Sequence, residues 1–246
     1  MFDFHGKNAV ITGAASGIGK ATAAYFHACG ANVVLADRNL PALEAVADGI
    51  DAARQRVGAI QCDASLPESA DAVVAHATKL FGNIDHIAAC AGIYEEQLID
   101  GMTDEQWRRT LAINLDGVFY LTRRAIPAMN DGGAIVAIAS VAAHTGGSYA
   151  HAHYGASKGG VMAYCRGLSK DLAPRIRVNS VSPGMIETPM VAASIERAGE
   201  RIKGTIPMKR FGKPSEVASV IAFLCSDAAS YVTGETIIIA GGMYMG

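Results

Sequence analysis

The sequence predicts an α/β fold: a single domain built on a doubly wound parallel sheet with helices on both faces. Three observations carry this expectation. Short β-branched runs alternate with longer amphipathic stretches along the whole chain, the pattern of repeated β-α-β units. Most of the runs are nearly continuously apolar, as strands buried on both faces must be. No linker-like composition break, internal repeat or low-complexity segment divides the 246 residues, a length that one domain can fold around a sizeable core.

The elements follow in order. Strands are expected at 8–13 (NAVITG), 32–37 (NVVLAD), 58–63 (GAIQCD), 84–92 (IDHIAACAG), 133–140 (GAIVAIAS), 176–184 (IRVNSVSPG) and 236–242 (TIIIAGG), making a seven-stranded sheet. Helices are expected at about 17–29, 40–55, 67–81, 104–130, 154–172 and 214–226. Pro41, Pro67 and Pro214 stand near helix starts, where a missing N–H costs little. Pro174 falls where the helix through Leu172 should stop. The least patterned stretch, about 185–212, is expected to be a mobile lid over the substrate.

Composition narrows the class. The chain is 50% hydrophobic and 18% charged, with a formal net charge of -2, which fits a globular enzyme rather than a disordered chain. No Lys/Arg run exceeds two residues, so neither nucleic acid nor an anionic membrane is an expected partner. The cysteines (Cys29, Cys62, Cys90, Cys165, Cys225) form no CxxC pair, which argues against a zinc site or a disulfide framework. The N-terminal stretch MFDFHGKNAV has no apolar signal core, and no apolar run approaches the ~20 residues that span a bilayer. A soluble, cytoplasmic protein is expected.

The turn TGAASGIG (Thr12–Gly19) follows the first strand and opens the first helix. Backbone N–H groups of such a turn, with the helix N-terminus, form an anion site suited to a pyrophosphate. Gly13 would permit the tight turn, Gly17 close approach to the phosphates, and Gly19 close helix–strand packing. Spaced glycines alone fit a structural turn, but strand, glycines and helix together meet the dinucleotide context. Asp37 ends the second strand, where a carboxylate ~20 residues on binds the ribose hydroxyls and repels a 2′-phosphate. That favours NAD over NADP. Arg38 pulls the other way, since a guanidinium accommodates a phosphate, although it equally suits stacking on adenine or facing solvent. Asp63 ends the third strand and suits either the adenine amino group or, with Ser65, capping of the next helix.

The stretch YAHAHYGASK (Tyr149–Lys158) holds two candidate pairs. His151 and His153 at i, i+2 would suit a metal from a strand, but no third ligand stands nearby. No metal site is expected, and these histidines should instead tune the pocket, sit at an interface, or offer a polar contact to substrate. His144 is a further candidate. Tyr154 and Lys158 at i, i+4 share one helix face. A free tyrosine titrates near 10 and is a poor base at neutral pH, and a cation one turn away favours its phenolate. Ser140, at the end of the fifth strand, is placed to hydrogen-bond a substrate oxygen. Asn114 (in INLDG) is a poor helix former inside a long helix.

Together these motifs resemble the short-chain dehydrogenase/reductase family across the whole chain. The turn at Thr12–Gly19 matches TGxxxGxG, YGASK matches YxxxK, PGMIET (Pro183–Thr188) matches the PGxxxT turn, and the final GGMYM resembles bacterial 3-oxoacyl-carrier-protein reductases. The resemblance implies a Rossmann fold and hydride transfer between a nicotinamide cofactor and an alcohol or ketone. It implies a catalytic set of Asn114, Ser140, Tyr154 and Lys158, with Asn114 holding a water that links the lysine to solvent. Lys158 and Tyr154 would also hold the nicotinamide ribose. Ser16, Ile18, Ala64, Cys90, Ala91 and Gly92 would join the glycines, Asp37, Arg38 and Asp63 around the dinucleotide. Pro183, Gly184, Ile186 and Thr188 would form the nicotinamide pocket.

Two departures stand out. The family's NNAG reads ACAG here (Ala89–Gly92), so Cys90 replaces an asparagine that braces the strand, and that brace must come from elsewhere. Cys90 is expected to be a small buried apolar residue, not a reactive thiol. The Ser140-to-Tyr154 gap is about one residue longer than the commonest family spacing, so the loop at 141–153 should form a distinctive pocket wall.

The leading expectation is an NAD(H)-dependent oxidoreductase acting on a secondary alcohol or ketone. The alternative is an NADPH-dependent 3-oxoacyl-thioester reductase. From another class, a non-catalytic nucleotide-binding module would tolerate loss of Tyr154 or Lys158, and both are present. The resemblance also implies a homotetramer, paired through the helices at 104–130 and 154–172 and the last strand. Ala112, Gly117, Gly159, Gly160 and Ala163 offer small residues for such packing.

Overall fold

The computed structural model describes residues 2–246. Its strands are β1 (Asn8–Thr12), β2 (Asn32–Asp37), β3 (Val57–Gln61), β4 (Ile84–Ala89), β5 (Met129–Ile138), β6 (Ile176–Pro183) and β7 (Thr236–Ile239). They form one parallel sheet in the order β3-β2-β1-β4-β5-β6-β7. The helices are α1 (Gly17–Ala28), α2 (Leu40–Ile50), α3 (Pro67–Phe81), α4 (Asp104–Leu111), α5 (Gly117–Ala125), α6 (Ala142–Thr145), α7 (Ala152–Leu172), α8 (Ala192–Thr205) and α9 (Pro214–Cys225).

The strands are apolar throughout because both faces are covered. Ile11, Val33, Leu35 and Val136 pack on one side with Phe26 of α1 and Ile221 of α9. Val10, Val34, Ile87 and Ile135 pack on the other with Val73 of α3, Leu121 of α5 and Val161 of α7. Ile11, Leu35, Ile87 and Ile135 are fully buried, and truncating any one to alanine would cost about 2–5 kcal/mol. Strand order reverses between β1 and β4, where Thr12 lies beside Ala89. The loops leaving those two ends diverge and open the crevice in which ligands of such sheets bind.

Several boundaries differ from expectation. The helix expected at 104–130 starts on a Thr103/Gln106 capping box. It then widens into a π-helical turn at Ala112–Asp116, resumes as α5, and ends at Ala125 before a 3-10 turn holding Pro127. Strand β5 therefore begins at Met129. Helix α2 stops at Ile50. The stretch 185–212 is not patternless, because α8 lies within it, although none of its residues is buried. Neither Asp63 nor Ser65 caps α3. Leu66 is its N-cap, with no side-chain cap bond, and Asp63 instead accepts from the Ser65 N–H and hydroxyl at 2.9 and 2.6 Å. Two of the small residues assigned to subunit packing are used within the chain. A Cβ on Gly117 would lie 2.6 Å from the Ala64 carbonyl, and one on Gly160 would lie 2.7 Å from Leu115. No helix among the described residues is long and apolar enough to cross a membrane.

Candidate active site

A cavity of about 870 Å³ runs along the C-terminal strand ends. Every residue of the expected catalytic and cofactor-binding sets lines it except Asn114. At one end lies the glycine turn, where positive φ and crowding explain the residue choice. Gly13 (φ 65) would place a Cβ 2.9 Å from the backbone of Ala91. A Cβ on Gly19 would lie 2.2 Å from the Gly13 carbonyl. Gly17 (φ 51) faces the Thr188 methyl, which a Cβ would meet at 3.1 Å. Thus the turn and the loop after β6 approach across the cavity, with Ser16 and Ile18 on one wall and Pro183, Gly184 and Ile186 on the other.

Asp37 points its carboxylate into this end of the cavity. Its oxygens accept from Ala15 N–H at 3.1 Å and Asn39 N–H at 3.0 Å, leaving lone pairs for further donors. Arg38 lies beside it in the lining, and Ala14, Ala15 and Ser16 of the turn supply no cation. The Asp63 carboxyl is held below the usual range by the Ser65 hydrogen bond, with smaller help from Arg38 and Arg109. The chain at Cys90 is tied to Thr12, whose hydroxyl accepts from the N–H groups of Cys90 at 3.1 Å and Ala91 at 3.2 Å. Burial pushes the Cys90 thiol up to about 12, so it carries little thiolate. A cradle of required glycines, oriented N–H groups and an acid at the ribose end fits a nicotinamide dinucleotide.

At the other end, Ser140 leaves β5 with its Oγ accepting from Ala142 N–H at 3.1 Å. Tyr154 stands on the first turn of α7, with its phenol near the Ser140 hydroxyl. Burial pushes its phenol up to about 12, and the nearby Ser140 hydroxyl partly opposes that shift. Lys158 follows one turn later, 3% exposed, and donates from Nζ to the Ile138 carbonyl at 2.7 Å. Its Nζ lies 5.9 Å from the Tyr154 ring centroid. Burial pulls its ammonium down to about 8.

Asn114 sits behind the cavity wall, fully buried in the π-helical turn. Its Oδ1 accepts from Ile93 N–H at 2.8 Å, and its Nδ2 donates to the Ile93 carbonyl at 3.0 Å and Ser157 Oγ at 3.1 Å. The turn explains a poor helix former at this position, since the side chain replaces regular helix contacts with bonds to the β4–α4 loop and α7. Gly92 is where these groups converge: a Cβ there would lie 3.2 Å from Asn114 Oδ1 and 3.4 Å from Lys158 Nζ.

The histidines correct one expectation. His151 and His153 are 3% and 1% exposed and do not line the cavity, so neither offers its side chain there as a polar contact. The wall is made instead by Tyr94, Val141, Ala142, Thr145, Gly147 and Ser148, with His151 stacked behind Tyr94. His144 also lies behind the wall, bonded through Nε2 to Ser182 Oγ at 3.1 Å and stacked on Tyr244. Among the described residues no group of three or more His, Cys, Asp or Glu side chains converges as a metal site would. Sequence reasoning missed Arg108 and Arg109 of α4 and Met243 and Tyr244 near the C-terminus, all in the lining. The only available signal was the aromatic within GGMYM, because chain-distant residues reach a site only through the fold.

A dinucleotide cradle joined to a buried Ser–Tyr–Lys set defines a nicotinamide-dependent oxidoreductase, and the chain belongs to the short-chain dehydrogenase/reductase family. The family model described as enoyl-(acyl carrier protein) reductase matches residues 13–244. Among curated relatives, the 3-oxoacyl-(acyl-carrier-protein) reductase of Thermotoga maritima is 41% identical over 244 residues, covering 97% of this chain and 98% of the relative. The protein of the same name from Escherichia coli is 36% identical over 246 residues, covering 99% of each. Among solved structures, a Brucella melitensis protein titled short-chain dehydrogenase/reductase SDR:glucose/ribitol dehydrogenase superposes with a TM-score of 0.97 at 49% identity. It is matched over 100% of this chain and 99% of that one.

Proposed function

We propose that this chain reduces the ketone of a 3-oxoacyl thioester with NADH, and in the reverse sense oxidises the corresponding secondary alcohol. The sequence alone ranks a general alcohol or ketone first and the thioester second. The full-length relatives named as 3-oxoacyl-(acyl-carrier-protein) reductases support the second substrate class. So does the substrate end of the cavity, where Ile93, Val141, Met185, Met190 and Met243 give an apolar wall suited to an acyl chain. The non-catalytic reading falls with the family assignment, since this is an NAD(P)-dependent oxidoreductase.

The observation that carries the proposal is the Ser140–Tyr154–Lys158 set facing the cradle across one cavity. Bound nicotinamide supplies the hydride. Ser140 Oγ donates to the substrate carbonyl oxygen and polarises it. Tyr154, kept protonated by burial, donates its phenolic proton to the same oxygen. Lys158 lends positive charge beneath the phenol and stabilises the phenolate that remains. Asn114 fixes the loop at Ile93 against α7 and keeps Gly92 beside Lys158.

For the cofactor, Asp37 supports NADH: its carboxylate accepts ribose hydroxyls and repels a 2′-phosphate, with Arg38 next to it in the chain as a compensating cation. The lid reading is retained as a proposal, with α8 and the Met190–Val191 turn closing over the substrate. A cytoplasmic location fits five free cysteines. A homotetramer would cover Trp107 and Phe119, exposed on α4 and α5.

Steady-state reduction of an acetoacetyl thioester with each cofactor tests the proposal. NADH should give at least roughly tenfold higher kcat/KM than NADPH, a difference of ~1.4 kcal/mol. Asp37→Ser should narrow that ratio, and Tyr154→Phe should abolish turnover with both. Preference for NADPH would transfer the site to Arg38. Turnover of polyols but not the thioester would favour the activity in the Brucella protein's title.

A further inference from the structure

The geometry points to Tyr94 as a positioning residue for Tyr154: its ring, clamped between His151 and the catalytic phenol, fixes the direction in which the phenolic proton is delivered. Tyr94 stacks on His151 with ring centroids 4.0 Å apart and planes 12° apart. It meets Tyr154 edge to face, at 4.8 Å and 83°. Edge-to-face pairs resist ring rotation better than aliphatic contacts, because the ring quadrupole prefers that angle.

The clamp is itself held. Tyr94 Oη bonds Ser148 Oγ at 3.1 Å, and Ser148 Oγ bonds His151 Nδ1 at 3.0 Å. His151 Nδ1 also lies 2.7 Å from the Tyr149 carbonyl, an acceptor, which fixes that nitrogen as the protonated one. Ala150 adopts φ 64, a left-handed conformation costly for a residue with a Cβ. Its carbonyl accepts from Gln97 N–H at 2.8 Å, joining the histidine loop to the Tyr94 loop. A strained residue held by such a bond marks a geometry that the surroundings enforce. The long Ser140–Tyr154 spacing acquires a use here, because it lets His151 fold under the Tyr94 ring.

Groups facing the Tyr154 phenol come from three elements. Ser140 approaches from the end of β5, Lys158 from the next turn of α7, and Tyr94 from the β4–α4 loop. Ser140 supplies a hydroxyl and Lys158 a positive charge 5.9 Å from the ring centroid. Tyr94 alone of the three offers an aromatic wall that keeps the phenol from turning.

The test compares Tyr94→Leu, Tyr94→Phe and His151→Leu with the wild type on whichever ketone the wild type reduces. Failure of the thioester proposal would therefore appear in the wild type, and failure of this inference in the variant ratios. Tyr94→Leu should lower kcat at least roughly tenfold, with KM and NADH Kd within about threefold of wild type. Tyr94→Phe, which keeps the ring, should recover most of that loss, and His151→Leu should fall between. A second readout needs no turnover. In the cofactor-free protein, the NMR signal of the Tyr154 ring, assigned by its absence in Tyr154→Phe, should shift and broaden in Tyr94→Leu. An unchanged kcat in Tyr94→Leu, or a raised KM with kcat intact, would overturn the inference. If Tyr94→Leu does not fold, Tyr94→Phe and His151→Leu decide: equal losses in both would overturn it.

Discussion

Lys158 lies beneath Tyr154 in the site, and in the proposed mechanism its protonation sets a pH limit on the chemistry. Its ammonium is buried with a carbonyl as its hydrogen-bond acceptor, and desolvation lowers it to about 8. The charge is present below that pH and is lost as pH rises through it. Tyr154, pushed up to about 12, remains a proton donor across the same range. Ketone reduction should therefore hold steady below pH of about 8 and decline above it. Lys158→Arg keeps its charge at any accessible pH and should move the decline upward, at a reduced rate. A decline that stays in place in Lys158→Arg would belong to another group. None of this is legible in the sequence, which places Lys158 one turn from Tyr154 but does not say how dry the pair is.

Among the elements, α8 is held most lightly. It buries no residue, and Ala198 interrupts it with a non-helical φ of -147°. A bidentate ion pair from Arg197 to Glu96 ties it to the loop that carries Tyr94. Both side chains are substantially exposed, so the pair is screened by salt and holds the helix weakly. Glu96→Gln should raise substrate KM roughly two- to fivefold, and high salt should do the same to the wild type. Equal KM values, with equal protease sensitivity across 192–205, would remove α8 from substrate retention. The element-scale misses share one cause. Residues 192–205 form a helix broken at Ala198 and with no buried residue to anchor it, and the π-helical turn at Ala112–Asp116 answers to Asn114's partners on another loop and another helix. Periodicity within a window does not encode such partners.

For the whole molecule, the sheet order sets the position of the site. Reversal between β1 and β4 opens the crevice, with the glycine turn on the β1 side and the proposed catalytic set on the β5 side. A cofactor bridging both sides binds the folded chain and not the unfolded one, so it must raise stability. NADH at a hundredfold its Kd should add about 2.7 kcal/mol, which is about 5–10 °C in Tm for a domain of this size. NADPH at equal concentration should give a smaller rise. Equal shifts, or none with either, would count against the Asp37 argument.

The sequence by itself determined the class, the succession of strands and helices along the chain, the glycine turn and the Tyr154–Lys158 pair. Each rests on local information: backbone φ at Gly13 and Gly17, apolar runs for two-sided strands, and one helical turn between two side chains. Only the tertiary structure decided which groups meet from afar. It put Thr12 under Cys90 and Ala91, sent His151 inward behind Tyr94, brought Tyr244 to the cavity, and turned Gly117 and Gly160 inward. The physical reason is that burial and hydrogen-bond partnership are properties of a packed neighbourhood, and a chain-distant neighbour leaves no periodic trace in the sequence it contacts.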